Sequence, residues 1–263
     1  MYTRFIIKLS KKINEQKKFF WKTILYLWTP GGYGNYRKLR KLKEINNLFE
    51  NKKTGEQKIK EWMNCKKTGL QYRKYNNYEE YTAHQKQKLD LLLKSGLSFS
   101  NKDIFGFRYL YYRRFNRLSS YLPSTASIIC AGARLGTEVE VLRDLGFRNA
   151  YGIDLNPGPD NPFVRVGDFM KIEASDASLD MIYSNCLDHA YDLDAFFAEH
   201  ARVIKSDGYV YYDISLKESG NFESAAWESA EDLLSLLLKY FKTIIHVSTE
   251  KDWKSFLLQG KKG

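Results

Sequence analysis

The sequence predicts an α/β fold: a doubly wound, mostly parallel sheet of seven strands with a terminal antiparallel strand and helices on both faces. Three observations carry this expectation. From residue 127 onward, short apolar runs alternate with helix-length amphipathic ones, the pattern that builds right-handed crossovers and a covered parallel sheet. The first of these runs leads through glycines into a helix, and the next two end in aspartates. Two further apolar runs follow the last helix, which suggests a hairpin at one sheet edge.

Taken in order, residues 1–30 read as a basic helical leader stopped by "TPGGYGN" (29–35). Residues 36–95 read as mainly helical, with breaks near 51–56 and 65–69. Within them Tyr72, Tyr75, Tyr78 and Tyr81 recur every third residue and run on to His84, a slanted stripe if the segment is helical. A basic aromatic helix is expected over 107–121, ending before Pro123. Strands are then expected at 127–131, 149–154, 163–168, 179–185, 209–215, 243–249 and 255–259. Helices are expected from the first strand through Leu145, from Asp194 to Ile204 and from Glu223 to Tyr240. The division anticipated is a helical extension or cap over 1–100 and the sheet domain over 101–263.

Charge follows the same division. The first 100 residues carry 23 Lys/Arg against 8 Asp/Glu, whereas the remainder carries 19 against 23. An asymmetry of this kind suits an anionic partner such as nucleic acid, a membrane surface or a phosphorylated substrate, and equally a solvated lysine-rich face. No apolar run reaches the roughly 18 to 20 residues of a membrane span. The best run, "FFWKTILYLW" (19–28), contains Lys22 and suits either an interfacial helix or one packed on its own domain. Three cysteines, Cys65, Cys130 and Cys186, lack metal-site spacing and imply a reducing compartment.

Ligands of open α/β sheets bind at the carboxyl ends of the strands, so chemistry is sought there. The first strand is followed by Gly132, Ala133, Arg134 and Gly136, where glycines let backbone approach a ligand at a helix N-terminus. The second ends at Asp154, followed by Leu155; a carboxylate there can accept from both hydroxyls of a ribose. The third ends at Asp168, followed by Phe169 and placed to accept from an exocyclic amine. The fourth runs into "SNCLDH" (184–189). The stretch "GARLGT" lacks the G-x-G-x-x-G of a nicotinamide-dinucleotide site.

"IICAGARLG", "YGID", "VGDF", "LDMIYSN" and "HARVIKSDGYVYYDI" occur in the order and spacing of a class I S-adenosylmethionine-dependent methyltransferase, which residues 105–250 resemble. The resemblance implies a Rossmann-like sheet and S-adenosylmethionine as cofactor. It places Gly132, Ala133 and Gly136 on the methionine part, Asp154 with Leu155 on the ribose and Asp168 with Phe169 on the adenine. Ser184 and Asn185 fall at the cofactor's amino-acid end. Two positions depart from the family pattern: Cys130 stands where many members have an acid, and Arg134 where they have a glycine. Arg134 either pairs with the cofactor carboxylate or forms a surface ion pair with Glu138.

Methyl transfer to a hydroxyl needs alignment and a base for its proton. His189 with Asp188 is the first candidate, and His84 the second. Asp192 and Asp194 could join Asp188 and His189 around a metal, but helix capping accounts for both, and no metal is expected. The acceptor expected is a small molecule, nucleotide-linked sugar or surface-glycan precursor in polysaccharide biosynthesis. Such an enzyme would be cytoplasmic, with residues 1–30 as a peripheral contact to the inner membrane surface. RNA methylation through the basic N-terminal region and a non-catalytic interaction module are the alternatives; the absence of "[DNS]-P-P-[YF]" after the fourth strand speaks against the first.

Overall fold

In a computed structural model the described residues are 62–65, 69–94, 104–158, 160–216, 221–250 and 253–262, with side chains described over slightly fewer. All belong to one compact unit, Phe49–Gly263. The expectations for residues 1–30 and 36–61 lie outside them.

Chain order is β1 (Trp62–Cys65), β2 (Leu70–Arg73), α1 (Tyr78–Lys94), α2 (Ile104–Phe115), β3 (Ile128–Ala131), α3 (Thr137–Asp144), β4 (Ala150–Asp154), β5 (Val164–Val166) and β6 (Leu179–Ser184). Then come α4 (Leu193–Val203), β7 (Ile204–Ser215), β8 (Ala225–Trp227), α5 (Ala230–Tyr240), β9 (Phe241–Glu250) and β10 (Trp253–Lys261). The main sheet has the order β5-β4-β3-β6-β7-β10-β9. Strands β3 to β7 are mutually parallel, and β10 inserts antiparallel between β7 and β9. This is the expected sheet, with the closing pair as its edge hairpin. The order reverses beside β3, which places the ligand crevice at the carboxyl ends of β3, β4 and β6.

Strand periodicity explains why β3 is apolar throughout. Ile128 and Cys130 join the core under α2 and α3, with Phe115, Val139 and Leu142. Ile129 and Ala131 join the opposite core under α4 and α5, with Phe196, Phe197 and Leu233. Successive side chains point to opposite faces, and both faces are covered.

Helix starts follow local chemistry. Asp192 caps α4, its carboxylate accepting from the Asp194 and Ala195 amides. Ser229 and Asp232 form a reciprocal capping box at α5. That box starts α5 at Ala230, and the helix expected from Glu223 is corrected accordingly. Ala225–Trp227 instead form β8, paired with β2 in a second, three-stranded sheet of order β1-β2-β8. The tyrosine stripe is corrected too: Tyr72 lies in β2 and Tyr75 in the connection, and the helix begins at Tyr78. The rings still converge, because the turn folds Tyr75 back onto Tyr81 at 5.6 Å and Tyr191 at 6.0 Å. The helix expected over 107–121 ends at Phe115, and a 3-10 turn covers Leu118–Ser120. Among the described residues no helix is long and apolar enough to cross a membrane.

His200 on α4 is fully buried, with Nδ1 against the Tyr212 hydroxyl at 2.8 Å. Burial pushes its pKa down to about 3 from 6.5. The folded ring is therefore neutral where the unfolded ring takes a proton. Its contribution is fully present above pH about 6.5 and is lost as the pH falls toward about 3. Denaturant titrations over that range should show His200→Gln losing less stability with acid than the parent, by a few kcal/mol at most.

Candidate active site

The first strand end is a tight turn. The Gly132 and Ala133 amides donate to the Ile153 carbonyl at 2.9 and 3.1 Å, and the Gly136 amide closes onto Ala133 at 2.7 Å. Gly132 and Gly136 have φ of 76° and 77°, a region that favours glycine. A Cβ on Gly132 would stand 2.9 Å from the Cys186 side chain. Arg134 takes a φ of 36°, which answers how a non-glycine fits: the loop accepts it in the left-handed region, and its amide donates to Asp154 at 3.1 Å. Asp154 also accepts from the Asn156 amide at 2.9 Å. Two backbone donors thus aim the acid at the end of β4.

One small cavity lies between this loop and Gln85, Asp154, Leu155, Phe169 and His189. A second, of about 260 Å³, opens beside it against Ala133, Arg134, Asn185, Asp188, His189 and Glu223. Arg134, Gly132, Cys186 and His189 face both. Donor atoms of Asp188, His189 and Glu223 all lie within 4.8 Å of one another. Asp192, by contrast, is committed to its cap, and Asp194 lies 3.5 Å from Lys239. Burial, followed by Asp188, pushes the Cys186 thiol up to about 12, so it is protonated at neutral pH and not a nucleophile.

Not every expected residue reaches these cavities. Ser184 is fully buried; its hydroxyl donates to the Ala131 carbonyl at 3.0 Å and accepts from the Cys186 amide at 3.2 Å. It shapes the turn after β6 and lines neither cavity. Asp168 accepts the Tyr78 hydroxyl on one oxygen and the Met170 amide on the other. Helix α1 therefore closes over the acid expected to meet an exocyclic amine. Burial and that carboxylate raise the Tyr78 pKa well above the ordinary phenol range. Asn185 donates to the Tyr111 hydroxyl at 3.0 Å, and Gly136 sits at the start of α3 as its N-cap.

His84 lines neither of these two cavities. Its ring stacks on Phe222 at 5.2 Å and 16°, and its Nδ1 meets the Tyr75 hydroxyl at 2.8 Å. Tyr75 meets Ser224 Oγ at 2.8 Å, and Gln85 Nε2 donates to the same Oγ at 2.8 Å. Gln85 Oε1 then meets His189 Nδ1 at 2.9 Å. The two candidate histidines are joined by one polar chain, whose members Gln85, Phe222 and Ser224 the sequence reading missed. Gln85 is adjacent to His84 in sequence, and that adjacency was the one local signal available.

A glycine turn facing an anchored acid is the geometry of a nucleoside-cofactor site, and the sequence comparison decides which. Residues 129–212 match the family described as a methyltransferase domain. The chain carries an S-adenosylmethionine-dependent methyltransferase domain. The match runs from β3 to β7, the part of this methyltransferase that builds the loop, Asp154 and the turn after β6. No curated protein matches the chain in sequence.

Solved structures resemble it in fold. The 1,6-didemethyltoxoflavin-N1-methyltransferase of Burkholderia thailandensis, solved with 1,6-didemethyltoxoflavin and S-adenosylhomocysteine, is 15% identical with a TM-score of 0.57. That likeness covers 77% of this chain and 100% of the other. A possible histamine N-methyltransferase of Thermotoga maritima is 16% identical with a TM-score of 0.46, over 58% of this chain and 89% of the other.

Proposed function

We propose that this methyltransferase transfers a methyl group from S-adenosylmethionine to an oxygen of a small molecule, such as a nucleotide-linked sugar or surface-glycan precursor. The observation that carries this reading is the second cavity, where an imidazole and two carboxylates converge beside the glycine loop. A hydroxyl acceptor must lose its proton as the new C–O bond forms, and we assign His189, which lines both cavities, to take it. Asp188 and Glu223 then favour the imidazolium. The same carboxylates disfavour a polyanion at the reacting end, which weighs against nucleic acid. The fold relative from Burkholderia also acts on a small molecule.

The residues present fit the cofactor: Gly132 and the twice-anchored Asp154 line one cavity, and Asp154 stands at the strand end that suits a ribose. When bound, S-adenosylmethionine supplies an electrophilic methyl on sulfonium. Gly132, Ala133 and Gly136 shape the loop for its methionine part. Asp154 with Leu155 holds the ribose, and Phe169, which lines the first cavity, bounds the adenine. Asn185 and Arg134 take the amino-acid end, Arg134 through the carboxylate. The lysine-rich first hundred residues suit cytoplasmic work near an anionic membrane surface.

The test is label transfer from methyl-labelled S-adenosylmethionine to separate panels of nucleotide sugars, small hydroxylated molecules and RNA. Label on the oxygen of a small acceptor is the expected result. Label in RNA would transfer the role to the nucleic-acid reading. Failure to bind the cofactor in calorimetry would make the chain a non-catalytic module.

A further inference from the structure

We infer that Gln85, on α1, is a positioning residue that fixes the tautomer of His189 and thereby makes its Nε2 the basic ring atom. The inference rests on His189 being the base of the proposed reaction, but its geometry stands independently of any substrate.

Two constraints lead to the same assignment. The Phe222 carbonyl oxygen can only accept, and His189 Nδ1 lies 3.1 Å from it. The nitrogen facing that oxygen must carry the proton. The second constraint comes from the amide. Gln85 Nε2 donates to the Phe222 carbonyl at 2.9 Å and to Ser224 Oγ at 2.8 Å. An amide oxygen turned that way would face the Phe222 carbonyl, lone pair against lone pair, so the NH2 group is fixed there. Gln85 Oε1 is consequently the atom 2.9 Å from His189 Nδ1, and an amide oxygen also only accepts. Both acceptors share one Nδ1–H, and the neutral ring keeps its lone pair on Nε2.

The amide is itself held in place. Ser224 Oγ is shared between Gln85 and the Tyr75 hydroxyl, the Ser224 amide donates to the Asp188 carbonyl at 2.7 Å, and the Tyr81 hydroxyl donates to the His189 carbonyl at 3.0 Å. Helix α1 and the segment after β7 thus grip the His189 turn from its backbone and from its ring. A glutamine suits this position because it offers one acceptor and one donor group on the same rigid amide, where a carboxylate would offer only acceptors to the Phe222 carbonyl.

The chain contains four histidines, so selective ring labelling with nitrogen-15 gives a readable two-bond nitrogen–proton spectrum of the full-length protein, with His189 assigned through His189→Asn. At a pH where the ring is neutral, His189 should appear as the Nδ1–H form. Gln85→Leu should shift the tautomer ratio toward Nε2–H by about tenfold, the effect of one hydrogen bond. Gln85→Glu, which keeps an acceptor, should retain Nδ1–H. The buried His200 serves as the folding control, its signal unchanged in each variant. An Nε2–H or doubly protonated ring in the parent overturns the proposal, as does a ratio unmoved by Gln85→Leu. Neither result depends on an acceptor being found, so failure here is distinct from failure of methyl transfer.

Discussion

Asp154→Ala abolishes S-adenosylmethionine binding. The carboxylate is the group at the end of β4 proposed to accept both ribose hydroxyls, and hydrogen bonds to a charged acceptor contribute about 1.5–3 kcal/mol each. Losing two should weaken affinity roughly 100-fold to 10,000-fold, beyond the range of ordinary calorimetry. The substitution also removes the acceptor of the Arg134 and Asn156 amides. The turn itself is closed independently by the Ile153 carbonyl, so thermal stability should fall only modestly, by about 1 kcal/mol. Asp154→Asn, which keeps one acceptor oxygen, should bind with intermediate affinity. Normal binding by Asp154→Ala would mean that the cofactor does not use the carboxyl end of β4.

The second large effect falls on turnover. His189→Ala should bind the cofactor within a few-fold of the parent, because the loop and Asp154 remain. Methyl transfer to a hydroxyl should drop about 100-fold to 10,000-fold, the usual contribution of a positioned base. Single-turnover measurement with saturating cofactor separates the two quantities. Undiminished transfer would show that the acceptor atom needs no base at this position.

Much of this architecture is legible in the sequence, because buried parallel strands read as short apolar runs and their ends carry the glycines and acids. Ile128 to Ala131 and Asp154 are examples, each positioned by local pattern. What the sequence hides is non-local. Ala225–Trp227 sits among good helix formers, yet pairing with Leu70–Tyr72 makes it a strand, a tertiary override of propensity. Ser184 looks like a ligand-facing polar residue, but full burial assigns its hydroxyl to Ala131. Gln85 carries no motif; its meaning comes from Phe222, 137 residues away. The tyrosine spacing did mark a cluster of packed rings, although a turn and a helix produce it together.

The pairing of β2 with β8 also bears on how the molecule is born. Tyr75 and Ser224 are 149 residues apart, and chains emerge from the ribosome N-terminus first. The residues of the turn after β3, the acid of β4 and the turn after β6 have all been made once residue 186 is clear. Phe222 and Ser224, which grip His189, are then still unmade. Synthesis therefore delivers every residue of the proposed cofactor side before it delivers the groups that set the His189 ring.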